Sequence, residues 1–436
     1  MVAPQNITMI RILTTLLFLP ILLNAQQLSL KNAIDTALKN NFDILIARDN
    51  VTQSAIANTF GNAGGLPSLN LTSSDNNTLN TIHQEYSSGP DLDKSNVRGS
   101  NVAGAITASF PLFNGFKVLA TKKQLEALQT QSELLLNAQI QNTMAAVMMK
   151  YFDIVRQEKY LTILNSSLDV SKERLSIVTT RRNVGMANDA DFLQAQIDAS
   201  TVEQNIKSQL LIIDQSKTDL QQLMNSKSFY QCSLSDSISV DKTIILDSIQ
   251  NCLKQNPQYL SLDQQVTINE TVVKQINAQR YPSFKINTSY NLSYLNNGAG
   301  SMLVNQTTGP QLGFALQIPI YNGNQIRTQQ KVAVSKVNTA ELQREKLLAT
   351  FTATAYKTYL SYQNTLQQIA EQELNSERSG KLLQLVMLRF QSNMATMLDV
   401  KAAQLSFENA GYTLINLKFA AKSAEIELKR LVYRLY

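Results

Sequence analysis

The sequence is poor in the residues that build catalytic and metal-binding sites. Its 436 residues include no tryptophan, one histidine (His83) and two cysteines (Cys232 and Cys252). A histidine-based catalytic triad and a multi-ligand metal site are therefore not expected. No nucleophile–base pair, phosphate-binding loop or cofactor motif is recognisable, so we predict a protein without catalysis, metal or cofactor. The cysteine spacing does not decide between a disulfide and two free thiols.

Proline (9 residues) and glycine (15 residues) are also scarce, whereas glutamine, asparagine, leucine and alanine are abundant. This composition favours long helices over several compact domains. The formal net charge of +6 is small for the length, and basic residues are interspersed with acidic ones along the helical patterns. They indicate solvated helix faces, and no nucleic-acid partner is expected. Beyond the N-terminus, no stretch approaches the roughly 18 apolar residues of a transmembrane helix.

The N-terminus has the pattern of a secretory signal peptide. Arg11 precedes an apolar run from Ile12 to Leu23, and Ala25 supplies a small residue for cleavage. We predict a signal peptide over residues 1–25, directly before the mature chain. Met9 is an alternative start that gives a more typical signal length. The chain is therefore expected to be exported.

Two long segments of the chain are copies of one another. The stretch 181–196 recurs, altered, at 389–404, and the Pro-Leu-Phe-Asn-Gly motif at 111–115 recurs as Pro-Ile-Tyr-Asn-Gly at 319–323. Both pairs are 208 positions apart. A long internal duplication fixes the architecture before any fold is assigned. We predict a first repeat over residues 26–225, a linker over 226–243 and a second repeat over 244–436.

Each repeat begins with a helical pattern, which covers residues 29–62 in the first copy, and then alternates between apolar and polar residues. A change of period from 3.6 to 2 indicates strands. We predict strand pairs over about 66–113 and 282–320, each interrupted by a polar loop, at 73–100 and 295–310. Strands of about 9–13 residues with one apolar face suit a lipid-facing, water-lined barrel. The alternative is a half-buried sheet in a soluble protein.

Each strand pair leads into a helical pattern of unusual length. Residues 115–185 remain helical for about 100 Å at 1.5 Å per residue. Apolar residues recur every seven positions, which is typical of helices that pack as coiled coils. These series are Val147, Ile154, Leu161, Leu168 and Leu175; Phe192, Ala199, Ile206, Ile213 and Leu220; and Leu398, Leu405, Tyr412, Phe419 and Ile426. We predict helix-to-helix turns near residues 185 and 393, and helices that pair within the chain and with other chains.

This order of elements resembles the TolC family of outer-membrane efflux proteins. A signal peptide is followed by a helix, a strand pair, a long helix, a tight turn and a second long helix, and everything after the signal peptide is repeated. The resemblance covers essentially the whole mature chain. The motifs that carry it are Leu66-Pro67-Ser68, the motifs at Pro111 and Pro319, and Val184-Gly185 followed by Asp191-Phe192-Leu193-Gln194-Ala195-Gln196.

The resemblance implies a mostly helical, duplicated fold with a membrane β-barrel. Each chain of a homotrimer would give four strands to one twelve-stranded barrel in the outer membrane of a Gram-negative bacterium. The helices would form a coiled-coil tunnel through the periplasm. It implies a passive exit duct for small toxic molecules, with a periplasmic adaptor and an inner-membrane transporter as partners. Type I protein secretion remains an alternative, as does a soluble periplasmic coiled-coil scaffold.

The resemblance also assigns roles to individual residues. Pro67, Pro111, Pro282 and Pro319 correspond to the family's strand-to-helix junctions. The family's adaptor-docking tips correspond to Gly185, Met186, Asn393 and Met394, with Arg181 and Arg389 beside them. At the periplasmic gate, Asp399 matches an aspartate of the closing ring and Asp191 matches an acidic link residue. Phe390 stands where a tyrosine can bond that acid, so this link is lost, and Ala395 and Ala402 occupy other usual gate positions.

Local helix chemistry is an alternative explanation for several of these residues. Asn188-x-x-Asp191 and Thr396-x-x-Asp399 both resemble capping boxes, in which an acid in the first turn stabilises a helix start. Arg181 and Arg389 fall in last helical turns, where a cation complements the helix dipole. The sequence leaves both explanations open.

Overall fold

The computed structural model describes residues 27–226, 233–234 and 236–435. The predicted signal peptide and Cys232 lie outside these residues. The helices are α1 (Leu30–Asn40), α2 (Phe42–Ala57), α3 (Lys117–Asn183), α4 (Asp189–Leu223), α5 (Leu246–Cys252), α6 (Pro257–Ala278), α7 (Gln325–Gln391) and α8 (Met397–Leu431). The strands are β1 (Gln27–Leu28), β2 (Ser68–Gln84), β3 (Leu92–Asn114), β4 (Ser233–Leu234), β5 (Ser283–Asn297) and β6 (Val304–Gln317).

The single first helix predicted over residues 29–62 is wrong, because the chain forms two helices that meet at Asn41. The side-chain oxygen of Asn41 accepts hydrogen bonds from the backbone N–H groups of Asp43 and Ile44, at 3.0 and 3.3 Å. Asn41 therefore caps the start of α2 directly after α1 ends. An asparagine can supply such a cap anywhere in a helical pattern, so apolar periodicity alone does not reveal the break.

Four strands form one antiparallel sheet in the order β2-β3-β5-β6. They lie where the sequence places strands, but they are longer, at 17, 23, 15 and 14 residues. The polar loops predicted over 73–100 and 295–310 are wrong, since pairing continues through polar positions such as Asn77 with Ser100. The ladder joins backbone groups, so polar side chains on both faces do not end a strand.

The two faces of the sheet differ in the way the alternation predicts. On one face Ser109 donates a hydrogen bond to the Asn287 side chain at 2.8 Å, and further serines and asparagines share this polar face. The other face carries exposed apolar side chains. They include Leu69, Leu71, Ile106, Tyr290, Leu292, Leu312, Phe314 and Leu316.

The long helical hairpins also follow the sequence pattern. Helices α3 and α7 each have 67 residues, and α4 and α8 each have 35. Of the described helices, none is long and apolar enough to cross a membrane. The seven-residue series on α3 and α4 is buried or half-buried. On α8, however, Leu398, Leu405 and Tyr412 remain exposed, so this part of the series lacks cover within the described chain.

The described residues of the predicted linker, 233–234 and 236–243, pack against both repeats beside the middle of the long helices. Strand β1 pairs in parallel with β4, and Asp236 accepts hydrogen bonds from the Leu30 N–H and the Tyr151 hydroxyl, at 3.0 and 2.7 Å. Asp241 forms an ion pair with Lys429 at 3.1 Å. Hydrogen bonds, first from Thr243 and then from Lys429, hold the pKa of Asp241 well below its usual range. Asp236 thus joins the linker to the first repeat, and Asp241 joins it to the end of α8.

Candidate functional site at the hairpin tips

The first tip (residues 184–188) reverses the chain between α3 and α4 through a left-handed residue. Gly185 has a φ of +79°. The backbone N–H groups of Gly185 and Met186 donate to the carbonyl oxygens of Arg182 and Arg181, at 3.0 and 2.7 Å. Glycine favours this helix end because it has no Cβ to clash. The turn leaves Gly185 and Met186 exposed.

The second tip (residues 392–396) makes the same turn with asparagine in the left-handed position. Asn393 has a φ of +63°. The N–H groups of Asn393 and Met394 donate to the carbonyl oxygens of Phe390 and Arg389, at 3.1 and 2.7 Å. Asparagine is the residue that most often replaces glycine at such a helix end. Both tips therefore present an exposed methionine at the equivalent position.

The two predicted tip arginines have different contacts. The guanidinium carbon of Arg181 lies 4.5 Å from the Phe390 ring centroid, and Arg181 Nη2 donates to the Phe390 carbonyl. Arg389 Nη2 donates at 3.2 Å to the Met394 carbonyl within its own tip. Phe390 is buried in an apolar cluster with Val178, Ala195, Met387 and Val400. Arg181 therefore links the first hairpin to the second.

The two predicted gate acids are both exposed, but only one closes a capping box. Asp399 Oδ2 accepts from the Thr396 N–H and hydroxyl, each at 2.8 Å, and the Asp399 N–H donates to the Thr396 hydroxyl at 3.2 Å. The hydrogen bonds from Thr396 lower the pKa of Asp399, and Arg389 adds to that shift. The cap is therefore complete at neutral pH and is lost as the pH falls through this lowered pKa. In the first repeat the side-chain oxygen of Asn188 accepts a hydrogen bond from the Asp191 N–H at 2.7 Å, which is one half of such a box.

A buried polar cluster lies farther from the tips, between the two hairpins. Arg174 on α3 is 1% exposed and pairs with Asp198 on α4, with Nη2 and Oδ2 2.8 Å apart. Lys401 on α8 reaches the other oxygen of Asp198, also at 2.8 Å. Burial lowers the pKa of Arg174, and the Asp198 carboxylate opposes that shift. One carboxylate therefore holds cations from both repeats.

A second set of hydrogen bonds continues this cluster. The side-chain nitrogen of Gln404 on α8 donates to the Ser167 carbonyl and to the Ser171 hydroxyl on α3, at 3.2 and 2.9 Å. The Ser167 hydroxyl donates to Glu408. These polar side chains thus join the first long helix to the last one.

Comparison with known proteins identifies the family. A model of the outer membrane efflux protein family matches residues 33–226 and 248–432. The chain belongs to this family. A comparison with functionally curated proteins finds no significant match. Membership agrees with the predicted outer-membrane location and efflux function, and it disagrees with the soluble-scaffold alternative.

Solved structures of outer-membrane channels share the fold of this efflux protein. The Campylobacter jejuni CmeC channel has a TM-score of 0.77 at 16% identity, covering 92% of this chain and 85% of that chain. The Vibrio cholerae protein VceC gives 0.71 at 18% identity, with 93% and 96% covered. The open-state Neisseria gonorrhoeae MtrE channel gives 0.73 at 15% identity, with 93% and 88% covered.

The four predicted junction prolines of the efflux protein occupy three different settings. Pro67 and Pro282 directly precede β2 and β5, where a missing N–H costs no ladder bond. Pro319 follows the end of β6. Pro111 lies inside β3, next to a register shift between Pro111 and Phe113. Pro111 therefore lies near the end of β3, three residues before its last residue Asn114, and the irregularity accommodates proline within the strand.

The sequence reasoning missed the buried polar cluster of the efflux protein. Its signal is a break in the apolar series: Ser167, Ser171 and Arg174 continue the spacing of three and four residues between Leu164 and Val178, and all five are buried. Polar residues at such seam positions specify register and partners in coiled helices.

Proposed function

We propose that three copies of this chain close the open sheet into one barrel in the outer membrane. The observation that carries the proposal is a sheet with an exposed apolar face whose edge strands, β2 and β6, pair with no further strand of the described residues. Unpaired backbone groups cost several kcal/mol each in lipid, so an open sheet does not span a bilayer. Three copies supply twelve strands, within the range of closed outer-membrane barrels.

The exposed helix seams support assembly at the periplasmic level. Apolar residues stay uncovered along α7 and α8 of one chain, and contiguous exposed apolar surface of this kind marks a protein interface. They include Leu342, Leu360, Leu374, Leu382, Leu385, Leu388, Leu398 and Leu405. Pairing these seams between copies would form a tunnel of about 100 Å. Light scattering of the purified protein in detergent should give three chains per particle, and single chains would contradict the proposal.

The trimer would act as a passive exit duct for small toxic molecules. Its polar sheet face would line the water-filled barrel, and its tips would lie far from the membrane. Gly185, Met186, Asn393 and Met394 are exposed there, and they would contact a periplasmic adaptor that joins the duct to an inner-membrane transporter. The exposed methionines support this role, because methionine adapts its shape to a partner surface.

Asp399 would restrict ion flow through the duct, because a trimer places three Asp399 carboxylates around one axis. Such a ring holds cations and repels anions. Replacing Asp399 with alanine should raise single-channel conductance and weaken block by multivalent cations roughly fivefold or more. Bilayer recordings with a multivalent cation added from the periplasmic side measure both.

Thr396→Ala is the matched control for Asp399→Ala. It removes hydroxyl bonds of the same cap but leaves the carboxylate in place. Conductance and block should stay close to those of the natural chain. If both variants change the channel equally, or neither does, Asp399 acts only as a helix cap.

A further inference from the structure

A cationic cleft lies where the apolar face of the sheet ends. It has a volume of about 670 Å³ and is formed by the connection between β6 and α7, the first turns of α7 and the residues after α6. Its cations are Arg280, Arg327 and Lys331. No carboxylate is present among the described residues that line it. The cleft therefore concentrates positive charge without an internal counter-ion.

Helix geometry explains why the cations converge. Arg327, Gln330 and Lys331 are three and four residues apart, so their side chains emerge on one face of α7. Arg280 approaches from the end of α6, and its Nη2 donates to the Gln330 side-chain oxygen at 2.6 Å. This bond orients the Arg280 guanidinium and uses one of its five N–H donors. Within the described part of the chain no other hydrogen bond engages the Arg280 guanidinium, so its remaining donors can reach a ligand.

The cleft adjoins the exposed apolar face of the sheet, which would face lipid in the proposed barrel. Leu312, Phe314 and Leu316 form the exposed apolar row of β6. Just beyond them Ile320, which is 95% exposed, and Tyr321, which is 80% exposed, line the cleft. Tyrosine beside basic residues is typical of the level at which lipid headgroups meet water.

We propose that this cleft binds the phosphate group of an anionic membrane phospholipid. Arginine donates two parallel hydrogen bonds to phosphate, and basic pockets at membrane interfaces bind anionic headgroups. Ile320 and Tyr321 would contact the adjoining glycerol and acyl chains, which free phosphate lacks. The cleft lies at the opposite end of α7 from the tip, so it is separate from the proposed adaptor surface. The inference rests on the outer-membrane location of the family and requires neither the gate nor the adaptor.

Lipid binding by the purified full-length protein tests this site. Native mass spectrometry in detergent would count phosphatidylglycerol molecules bound per assembly during a titration. Each surface cation contributes about fivefold to binding of an anionic lipid, so Arg327→Gln/Lys331→Gln should weaken it roughly twentyfold. Lys346→Gln/Lys357→Gln is the matched control, because it removes the same charge from exposed positions farther along α7. Arg327→Lys/Lys331→Arg should retain binding.

Several results would overturn the proposal. Equal loss of phosphatidylglycerol binding in both double-glutamine variants would show non-specific attraction. Unchanged binding in Arg327→Gln/Lys331→Gln would show that the lipid does not bind in the cleft. Displacement of phosphatidylglycerol by equimolar inorganic phosphate would assign the cleft to free phosphate. Equal binding of phosphatidylcholine would show that the cations do not select charge. Dissociation of the assembly in Arg327→Gln/Lys331→Gln would assign these residues to a contact between copies.

Discussion

Replacing Asp198 with alanine should destabilise the region between the hairpins by about 3–5 kcal/mol, as expected when a buried ion pair loses one partner. Arg174 would stay buried without its anion, and Lys401 would lose the same carboxylate. Backbone amides around Arg174 should then exchange with solvent about a hundredfold faster or more. Hydrogen–deuterium exchange with peptide resolution measures the change.

Two variants make this prediction specific. Asp191→Ala removes an exposed acid from the same helix and should leave exchange around Arg174 unchanged. Arg174→Leu/Asp198→Leu removes both charges. Its backbone amides around position 174 should exchange nearly as slowly as in the natural chain, because no buried charge is left unpaired. Normal amide exchange in Asp198→Ala would show that the Asp198 carboxylate, which binds Arg174 in its own hairpin and Lys401 in the other, does not stabilise this region.

Replacing Gly115 with alanine should cost about 2–5 kcal/mol of folding free energy, from left-handed strain and overpacking combined. Gly115 has a φ of +67°, and a Cβ there would lie 2.2 Å from the Ala278 carbonyl oxygen and 2.8 Å from the Tyr281 Cβ. The backbone at the turn from β3 to α3 would have to move away from the end of α6. Urea denaturation followed by circular dichroism measures the loss.

Gly185→Ala separates the two causes. Its φ of +79° is equally left-handed, but apart from its chain neighbours no described atom lies within 4 Å of the position that a Cβ would take. It should therefore cost only the strain, about 1–2 kcal/mol. Equal losses in the two variants would show that the close approach to Ala278 contributes nothing.

The sequence predicts the tips well because their signals are local. A glycine or asparagine in the left-handed position, followed three residues later by a helix cap, depends only on neighbours in the chain. Gly185 and Asn393 accordingly occupy the predicted turns. The duplication supplied a second copy of each element, which made the order of strands and long helices clear.

Other features depend on partners that are distant in sequence. The strands extend through polar residues because β2, β3 and β5 hold each other in register. Asp198 and Lys401 are 203 residues apart, so no local pattern connects them. Leu398, Leu405 and Tyr412 form a heptad series but stay exposed in one chain, because sequence periodicity does not distinguish a seam within the chain from one between copies.

Planar-bilayer conductance of the purified mature protein, with its mass in detergent measured on the same sample, tests the proposed duct most directly. We expect particles of three chains that form small, cation-preferring channels blocked by multivalent cations. Single chains without conductance would contradict the closed barrel, and the alternating strands would then belong to a sheet that does not cross the membrane.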